Sequence, residues 1–513
     1  MNIIELLNPL RQRAGKKLTT GLDDPTLLRF AANHPELELA AQEAVAAYRK
    51  FSVEFPELLD ADEAAQMAAL QAGFVNFYAA DNINPYVAIA ARGSWIITLK
   101  GAVVNDCGGY GMIGLGHAPQ EVLDVMSEPS VMANVMTASA SHLRLERALR
   151  AEIGAARGGC PYNRFICMNS GSESVTVAGR ICDVNTKLMT DACGRHAGKR
   201  VKRIAVKGAF HGRTELPAMY SDSSSKAYAQ HLASHKHHEK QLITITPYSV
   251  AELEAAFAEA ERNDWYIEAV FLEPVMGEGN PGRALTREFY DAARRLTAEH
   301  GTLLLVDSIQ AGLRAHGCLS VLDYPGFESA IAPDFETYSK ALNAGQYPLS
   351  VLAMSERAAN LYRTGVYGNT MTTNPRALEV ACTVMKLITP AVKQNIVARG
   401  AEFLEKLRAL QAELGGMITA VQGTGLLFSC ELSSSYKCYG AGSTEEFMRM
   451  QGVGVIHGGT NSLRFTPQFR VTSAEVDLIV SALKHALVNG PRKAGSTQEA
   501  IASLVQVPIK QAA

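Results

Sequence analysis

The feature that most constrains the fold is an alternation of β-rich and helical segments between about residues 130 and 380. The β-rich runs are RFICMNSG, RIAVKGAF, LITITPY, AVFLEP and TLLLVDSIQ, and helical patterns such as SESVTVAGRICDV and VAELEAAFAEAERN stand between them. Such alternation is typical of a mostly parallel sheet wrapped by helices. We therefore predict an α/β fold whose large domain is built on one mostly parallel central sheet.

The chain of 513 residues is too long for one small core, so a large domain with a smaller one is expected. Residues 36–80 are rich in Ala, Glu and Leu and predict two helices broken at Pro56, with Asp60 and Asp62 as candidate caps of the second. After Pro375, long helical patterns, a β-rich piece and a final helix from Ser473 predict an α+β domain. The predicted division is a helical extension, a large domain whose start contributes to the small domain and the interface, a small domain and a polar tail, at 1–90, 91–380, 381–490 and 491–513.

Charge and cysteine content narrow the partners and the compartment. The 49 basic and 51 acidic residues give a net charge of -2, which argues against nucleic acid or an anionic membrane surface and favours a small molecule. No uncharged apolar run approaches the roughly 18 residues that a bilayer span needs. Nine scattered cysteines without a CxxC pair indicate neither a disulfide framework nor a metal site, and predict a reducing, cytoplasmic location. The basic residues Arg11, Arg13, Lys16 and Lys17 leave an organelle transit peptide as the alternative.

Three polar features follow β-rich runs, where ligands of open α/β sheets usually bind. The run NSGSE at 169–173 ends a strand and opens a helix, so its amides would face an anion such as phosphate, unless it is a plain capped turn. Asp307 ends LLLV and is costly to bury without a cation, unless it caps a helix. Lys340 follows DFETYS and places an amine at the same edge, unless it is a surface lysine. Together they form the set that pyridoxal 5'-phosphate (PLP) needs: an amine for a Schiff base, a carboxylate for the ring nitrogen and a helix N-terminus for the phosphate.

Seven stretches resemble the class III aminotransferases of PLP fold type I, over roughly residues 95–485. They are NSGSESVTVAGR, GAFHGRT, EPVMGEG, LLLVDSIQAGLRAHG, YSKALNAGQYPLS, YGNTMTTNP and LRFTPQFRVTSAEVD. Any one of these stretches alone would be a weak signal, whereas seven in family order are specific. The resemblance implies a PLP enzyme with a large domain around a mostly parallel sheet and a smaller α+β domain.

The resemblance also implies a role for each matched residue around the cofactor. Lys340 would hold PLP as a Schiff base and, once released, shuttle a proton as general base and acid, while Asp307 would pair with the pyridine nitrogen. Thr370 would reach the phosphate of the neighbouring subunit, which requires a homodimer with a shared active site. The other cofactor-binding residues would be Gly171 and Ser172 at the phosphate, Phe210 stacked on the ring with the adjacent His211, Gln310 at the phenolic oxygen and Glu273 near the Asp307 side of the cofactor. For Gln310 and Phe210, ordinary packing is the alternative.

Two matched residues concern the substrate. Arg464 in LRFTP would grip the α-carboxylate of glutamate or 2-oxoglutarate, and Glu278 in MGEG would neutralise this arginine while an amine donor without that carboxylate is bound. A structural arginine and a surface glutamate are the alternatives. We therefore expect an aminotransferase that moves an amino group between an amine or amino acid and a keto acid, with glutamate and 2-oxoglutarate as one pair. A decarboxylase, racemase or aminomutase of the same PLP fold is the nearest alternative, and a non-catalytic binding protein is a more distant one.

Several departures from the family pattern put the usual substrate choice in doubt. Ser308 stands where the family has a glutamate, which would remove a charge near the cofactor, and Arg314 stands one place early. Arg470 would add a cation close to the substrate arginine. Thr372 and Thr373 replace a glycine pair, which would narrow the site or shift its loop. The identity of the amino donor does not follow from the sequence, because specificity depends on loops such as 74–92 and 130–142.

Two further motifs are better explained without a ligand of their own. Residues 109–114 fit GxGxxG, but LGHAP follows where a dinucleotide loop needs a helix. In the resemblance this is the loop before the Gly-His segment, and Asp106 matches the aspartate that often precedes it. His235, His237 and His238 in SHKHHEK lack Cys or acidic ligands at matching spacing, so we predict a solvated loop there rather than a metal site.

Overall fold

The structure, a computed structural model, describes residues 2–131 and 135–493, apart from the side chains of Asp81 and Glu239. The chain divides into two compact units, residues 1–119 with 398–513, and residues 120–397. The helical extension and the C-terminal part therefore belong to one unit, and the divisions fall later in the chain than the predicted ones after residues 90 and 380. Most of the predicted polar tail and residues 132–134 of the loop 130–142 lie outside the described residues.

The first part of the chain is helical and then forms three short strands. Its elements are α1 (Ile3–Arg11), α2 (Asp24–Ala31), α3 (Pro35–Glu54), α4 (Glu63–Gln71), β1 (Ala88–Arg92), β2 (Trp95–Thr98) and β3 (Val103–Asp106). The two predicted helices and their break at Pro56 are confirmed. Of the predicted caps, Asp62 stands at the N-cap position of α4 but its side chain makes no capping bond, and Asp60 is not the cap. The two carboxylates instead accept the backbone N–H groups of Lys16 (2.7 Å) and Ala14 (3.0 Å). These carboxylates tie the segment after α1 to the start of α4.

The second unit is built on a seven-stranded sheet in the order β4-β10-β9-β8-β7-β5-β6. Its elements are α5 (Gln120–Ser127), α6 (Ala140–Glu152), β4 (Arg164–Met168), α7 (Gly171–Thr190), β5 (Arg200–Val206), α8 (Glu215–Ala218), α9 (Ser225–His231), β6 (Leu242–Ile245), α10 (Val250–Arg262), β7 (Trp265–Leu272), α11 (Arg287–His300), β8 (Leu303–Asp307), β9 (Phe335–Tyr338), β10 (Ser350–Met354), α12 (Glu356–Leu361) and α13 (Pro375–Leu387). Only β10 in this sheet runs antiparallel to its neighbours. The predicted mostly parallel sheet is confirmed.

The core of the second unit fixes this sheet against α7. Strand β8 is buried along its whole length, as expected when helices cover both faces of a parallel sheet. Residues of α7 and of the central strands share one apolar cluster, which includes Val177, Ile181, Phe271, Leu305 and Leu352. The packing therefore sets where the parallel strands end, and with it the position of the loops that follow them.

The last part of the chain forms a second antiparallel sheet and a closing helix. Its elements are α14 (Pro390–Glu413), β11 (Ile418–Thr424), β12 (Leu427–Leu432), α15 (Thr444–Met450), β13 (Val453–Gly454), β14 (Ile456–Gly458), β15 (Ser462–Phe465) and α16 (Ser473–Asn489). The sheet order is β11-β12-β15-β14, and β13 pairs in parallel with β3 of the N-terminal sheet. This pairing explains why the two ends of the chain form one unit.

Two sequence motifs outside the strand ends can now be placed. After residues 109–114 the next helix, α5, begins only at Gln120, so the geometry of a dinucleotide loop is missing there. His237 is exposed, whereas His235 is only 2% exposed and His238 is also buried, so the predicted solvated loop is wrong for these two. Their rings lie 5.1 Å apart, and His235 also packs on Tyr228. Aromatic packing therefore offsets the cost of burying them.

Within residues 2–131 and 135–493, no helix combines the length and the apolar character needed to cross a bilayer. Over the same residues, no group of three or more His, Cys, Asp or Glu side chains is placed to hold a metal ion.

Candidate active site

The carboxyl edge of the parallel strands collects the predicted cofactor residues of the second unit. Gly171 opens α7 just after β4, Glu273 directly follows β7, Asp307 ends β8, and Lys340 lies two residues after β9. Asp307 is paired in register with Thr337 of β9, so Asp307 and Lys340 stand at the ends of adjacent strands. Lys340 has φ +46°, a left-handed conformation that side-chain-bearing residues rarely adopt and that concentrates at functional sites.

Asp307 is held in a fixed orientation. Its side chain is 4% exposed, its Oδ2 lies 2.9 Å from His211 Nδ1, and its Oδ1 accepts the backbone N–H of Ile309 at 3.1 Å. A carboxylate only accepts hydrogen bonds, so this contact uses the tautomer of His211 that has its hydrogen on Nδ1. His211 is 1% exposed, and its Nε2 has no hydrogen-bond partner among the described residues. The pair presents a buried acceptor that suits a protonated ring nitrogen.

Glu273 joins the two loops that flank this pair. Its carboxylate accepts the backbone N–H groups of Phe210 (3.0 Å) and Gly277 (2.8 Å). Burial raises the pKa of Glu273 to about 7, the charge of His211 opposes this rise, and the neighbouring Asp307 carboxylate adds to it. A Cβ at Gly277 would lie 2.5 Å from Nε2 of Gln310, so the glycine makes room for that side chain.

The N-terminus of α7 is shaped to receive an anion. Ser170 caps the helix, its Oγ accepting the N–H of Glu173 at 3.3 Å. Glu173 Oε2 in turn accepts the N–H groups of Asn169 (3.0 Å) and Ser170 (2.9 Å). As the first helical residues, Gly171 and Ser172 have backbone N–H groups with no acceptor inside the helix. These two donors and the helix dipole favour a phosphate group.

The loop after β5 closes this cradle from the other side. Ser172 Oγ accepts the backbone N–H groups of Arg213 (3.2 Å) and Thr214 (3.1 Å). Gly212 has φ +122° and lies against Ser172, where a Cβ would overlap the hydroxyl. The guanidinium of Arg213 lies 5.3 Å from the ring centroid of the half-buried Phe210. The cradle, the buried carboxylate and the amine at the next strand end together fit PLP.

Thr370 stands apart from these groups, on the surface of the second unit. Its side chain is exposed, and it lines a cavity of about 550 Å³ together with β4 residues such as Cys167 and Met168. The adjacent Asn369 donates through Nδ2 to Glu173 Oε1 at 3.0 Å. Thr370 therefore directly follows a residue that is anchored at the anion cradle, while its own side chain is exposed.

The predicted substrate residues lie in different units. In the first unit Arg464 is 1% exposed on β15, and its Cζ lies 5.7 Å from the ring centroid of Tyr110. Tyr110 has φ +51° and packs on Tyr78, with ring centroids 5.8 Å apart. Sequence reasoning missed Tyr110, although its place between two glycines was a usable sign of an unusual turn. In the second unit Glu278 is half-buried in the loop after β7.

The histidine and aspartate near this tyrosine are also in contact. Nε2 of His117 lies 3.0 Å from Oδ2 of Asp106, the aspartate that the resemblance singled out. Arg470 is exposed. Its charge acts on Glu36, whose pKa is raised by burial, and opposes that rise. The predicted extra cation thus lies at the surface near Glu36.

Ser308, which replaces the family glutamate, contacts a buried carboxylate of the neighbouring strand. Ser308 Oγ donates to Oε1 of the buried Glu336 at 2.6 Å, so a carboxylate is supplied from β9 instead of from position 308. Arg314 is fully buried, and burial lowers its pKa to about 9. The displaced arginine therefore belongs to the interior of the second unit.

The threonine pair shapes the loop before α13. Thr372 is buried and donates through Oγ1 to the backbone O of Asn369 at 2.9 Å. Thr373 has φ +58°, a conformation that suits the family glycine and strains a β-branched residue. Both line the same cavity as Thr370. The replacement thus keeps a glycine-like backbone at position 373.

Comparisons with known proteins find matches over most of the chain. A family model described as aminotransferase class-III matches residues 77–487. The ornithine aminotransferase of Toxoplasma gondii ME49 superposes with a TM-score of 0.70 at 20% identity, covering 85% of this chain and 97% of that one. A further structure of the Toxoplasma gondii enzyme, described with PLP at partial occupancy in its active site, gives 0.69 at 21% identity, with 83% and 94% covered. The acetylornithine aminotransferase of Elizabethkingia anophelis gives 0.65 at 18% identity, with 83% and 99% covered.

Proposed function

The chain belongs to the class III aminotransferase family, and we propose that Lys340 and Asp307 are its catalytic residues, with glutamate and 2-oxoglutarate as one substrate pair. The family performs PLP-dependent transamination between an amine or amino acid and a keto acid. The observation that carries the assignment is the buried Asp307, held by His211 at 2.9 Å, at the end of the strand beside the one that leads to Lys340.

Each catalytic side chain has a defined task in this proposal. When bound, PLP withdraws electrons from the carbon that carries the amino group. Lys340 holds the cofactor through Nζ and, once free, takes the proton from the substrate carbon and returns it as a general acid. Asp307 keeps a proton on the pyridine nitrogen, and His211 Nδ1 keeps Asp307 oriented for that bond.

The remaining cofactor residues bind and orient. Gly171 and Ser172 offer backbone N–H groups to the phosphate at the start of α7. Phe210 covers the ring face, where its backbone is fixed by Glu273, and Gln310 serves the phenolic oxygen from its place beside Gly277. Holding these groups on strand ends and on one helix terminus keeps the reacting geometry fixed.

For the substrate, we propose that Arg464 binds the α-carboxylate and that Glu278 neutralises it for donors without that group. The guanidinium is planar and suits bidentate binding of a carboxylate. Its burial on β15 beneath Tyr110 supports the assignment, because a fully desolvated guanidinium gains most from an anionic ligand.

We also propose a homodimer in which Thr370 serves the phosphate of the partner subunit. Its exposure supports this, as do three exposed apolar side chains: Met371, the next residue, Val135, which lines the same cavity, and Met136 beside Val135 in sequence. Mixing Lys340→Ala and Thr370→Ala subunits tests the arrangement, since the mixed dimer then contains one complete site. Activity recovered on mixing supports the sharing, and no recovery, with Thr370→Ala dimers impaired, contradicts it.

We propose a cytoplasmic location, because free cysteines are typical of a reducing compartment. All nine cysteines are free, and none of them forms a disulfide within the described residues.

The activity is tested by absorbance with L-glutamate as the probe. The protein should show a band near ~410 to 430 nm that moves to ~330 nm with glutamate, with pyridoxamine phosphate recovered after denaturation. Lys340→Ala should lose the conversion, whereas the control Lys187→Ala, on an exposed face of α7, should keep it. Carbon dioxide or racemised amino acid without pyridoxamine phosphate would contradict transamination.

A further inference from the structure

Glu336 is an unusual feature of the interior beside the cofactor edge. It lies on β9, is 0% exposed, and accepts four hydrogen bonds. Oε1 accepts Ser308 Oγ (2.6 Å) and the N–H of Val321 (2.9 Å), while Oε2 accepts Ser320 Oγ (2.6 Å) and the OH of Tyr162 (2.8 Å). Burying a carboxylate destabilises the folded state unless its oxygens accept hydrogen bonds, as both oxygens of Glu336 do.

Three of the four donors to Glu336, all except Tyr162, belong to one segment of the chain. Ser308 begins and Ser320 and Val321 end one segment, residues 308–321, which leaves β8 and returns to a short 3-10 turn. That segment carries Gln310, and the backbone N–H of Ile309 within it donates to Asp307 Oδ1 at 3.1 Å. Both ends of the segment are therefore fastened to a single carboxylate, with the two cofactor-facing groups close to one of the fastened ends.

The strand register explains how Glu336 reaches position 308. Val306 pairs with Glu336 and Asp307 with Thr337 in the parallel ladder of β8 and β9, and the backbone N–H of Ser308 donates to the O of Thr337 at 3.0 Å. Position 308 thus runs alongside β9. The carboxylate of Glu336, on the neighbouring strand, therefore lies beside position 308, where the family has a glutamate.

We propose that Glu336 is a positioning residue for the transamination reaction, which holds Asp307 and Gln310 in place at PLP through Ser308. The proposal rests on the function assigned above. Ser308 transmits the restraint at one end, and Ser320 with Val321 prevents the segment from sliding at the other. Glu336 itself touches neither cofactor nor substrate.

The hydrogen bonds require the ionised form of Glu336. Burial raises its pKa, and the bonds from Ser308, Ser320, Val321 and Tyr162 oppose that rise. Neither a protonated acid nor an amide can accept at all these places, because each would aim hydrogen atoms at donors. Glu336→Gln therefore keeps the shape of the side chain but breaks part of the network.

The test compares PLP binding by the full chain in three variants. PLP is titrated into cofactor-stripped protein, with the dissociation constant, the pH midpoint of the absorbance band and the melting temperature as readouts. Glu336→Gln should weaken PLP binding about tenfold and shift the pH midpoint, because Asp307 loses its orientation. Ser308→Ala, which leaves the other three bonds to Glu336, should weaken binding by about threefold.

The matched control is Glu268→Gln. Glu268 is likewise a buried glutamate of the sheet, on β7, and pairs with Arg203 at 2.8 Å. Its loss should lower the melting temperature while leaving PLP affinity and the pH midpoint within twofold of the wild type.

The outcomes separate this proposal from the function on which it rests. A wild-type protein without the absorbance band of lysine-linked PLP would contradict the proposed function, regardless of the PLP affinities of the variants. If the wild type forms the band and Glu336→Gln merely melts earlier, as Glu268→Gln does, Glu336 is structural and the proposal is overturned. Should Glu336→Gln fail to fold, Ser308→Ala decides: wild-type PLP affinity and pH midpoint in that variant overturn the proposal.

Discussion

Replacing Gly212 by alanine should open the phosphate cradle of α7. Gly212 has φ +122°, well outside the left-handed conformation near +57° that other residues occasionally adopt. The new Cβ would overlap Ser172 Oγ and lie 2.9 Å from Ser172 Cβ. The hydroxyl must then turn away from the N–H groups of Arg213 and Thr214, which it accepts at 3.2 and 3.1 Å.

The magnitude follows from these two effects. The backbone conformation costs an alanine about 2 kcal/mol, and each lost hydrogen bond costs about 1 kcal/mol. Gly198 offers a matched control, because it also has a positive φ, +73°, but nothing lies within 4 Å of its Cβ position. Gly198→Ala therefore carries a backbone cost without any lost hydrogen bond. The two lost hydrogen bonds at Gly212, about 2 kcal/mol together, should appear in cofactor binding, since the relaxed loop must be restored, and they correspond to roughly thirtyfold weaker affinity.

Titration of PLP into cofactor-stripped protein, followed by absorbance, measures this difference. Gly212→Ala should bind about thirtyfold more weakly than the wild type, and Gly198→Ala should bind within twofold of it. If the two alanine variants bind PLP equally well, the loop at Gly212 does not form the phosphate cradle.

Three further results are expected. Thr373→Gly should stabilise the protein towards urea by up to about 1 kcal/mol by relieving φ +58°, whereas Thr372→Gly should destabilise it; equal losses would refute the strain. Because the pKa of Glu273, about 7 when folded, exceeds its unfolded value near 4.3, the folded state holds an extra proton between these values and stability falls as pH rises through this range. Glu273→Gln should flatten that fall by up to about 3 kcal/mol in urea unfolding at pH 5 and 8, and an unchanged slope would contradict the burial effect. Tyr110→Leu should raise the KM for L-glutamate about threefold by removing the ring over Arg464, with kcat little changed; a fall in kcat at constant KM would contradict it.

Most of the large unit could be predicted because its signal is local. Strands buried on both faces give continuous apolar runs, and β8 is such a run ending in Asp307. The direction of β10 could not be predicted, because it depends on which strands it lies between. The same limit applies to Asp60 and Asp62. Aspartate suits a helix cap, but both carboxylates accept backbone N–H groups of a segment distant in sequence, at Ala14 and Lys16.

The candidate site divides in the same way. Asp307 and Lys340 follow strands, so the topology rule for open sheets brings them to one edge. The link from Ser308 to Glu336 joins positions 28 residues apart and exists only through the register of two strands. The burial of His235 could not be predicted for a related reason. Its stretch of sequence is polar and indicates a solvated loop, whereas in the fold Tyr228 and His238 pack on its ring.

Borohydride reduction followed by peptide mass spectrometry tests whether Lys340 carries the cofactor. Reduction fixes PLP on the amine that holds it. We expect the phosphopyridoxyl group on the peptide that contains Lys340, and no label in that peptide from Lys340→Ala. Labelling of another lysine in the wild-type protein, with Lys340 unmodified, would show that Lys340 does not hold PLP.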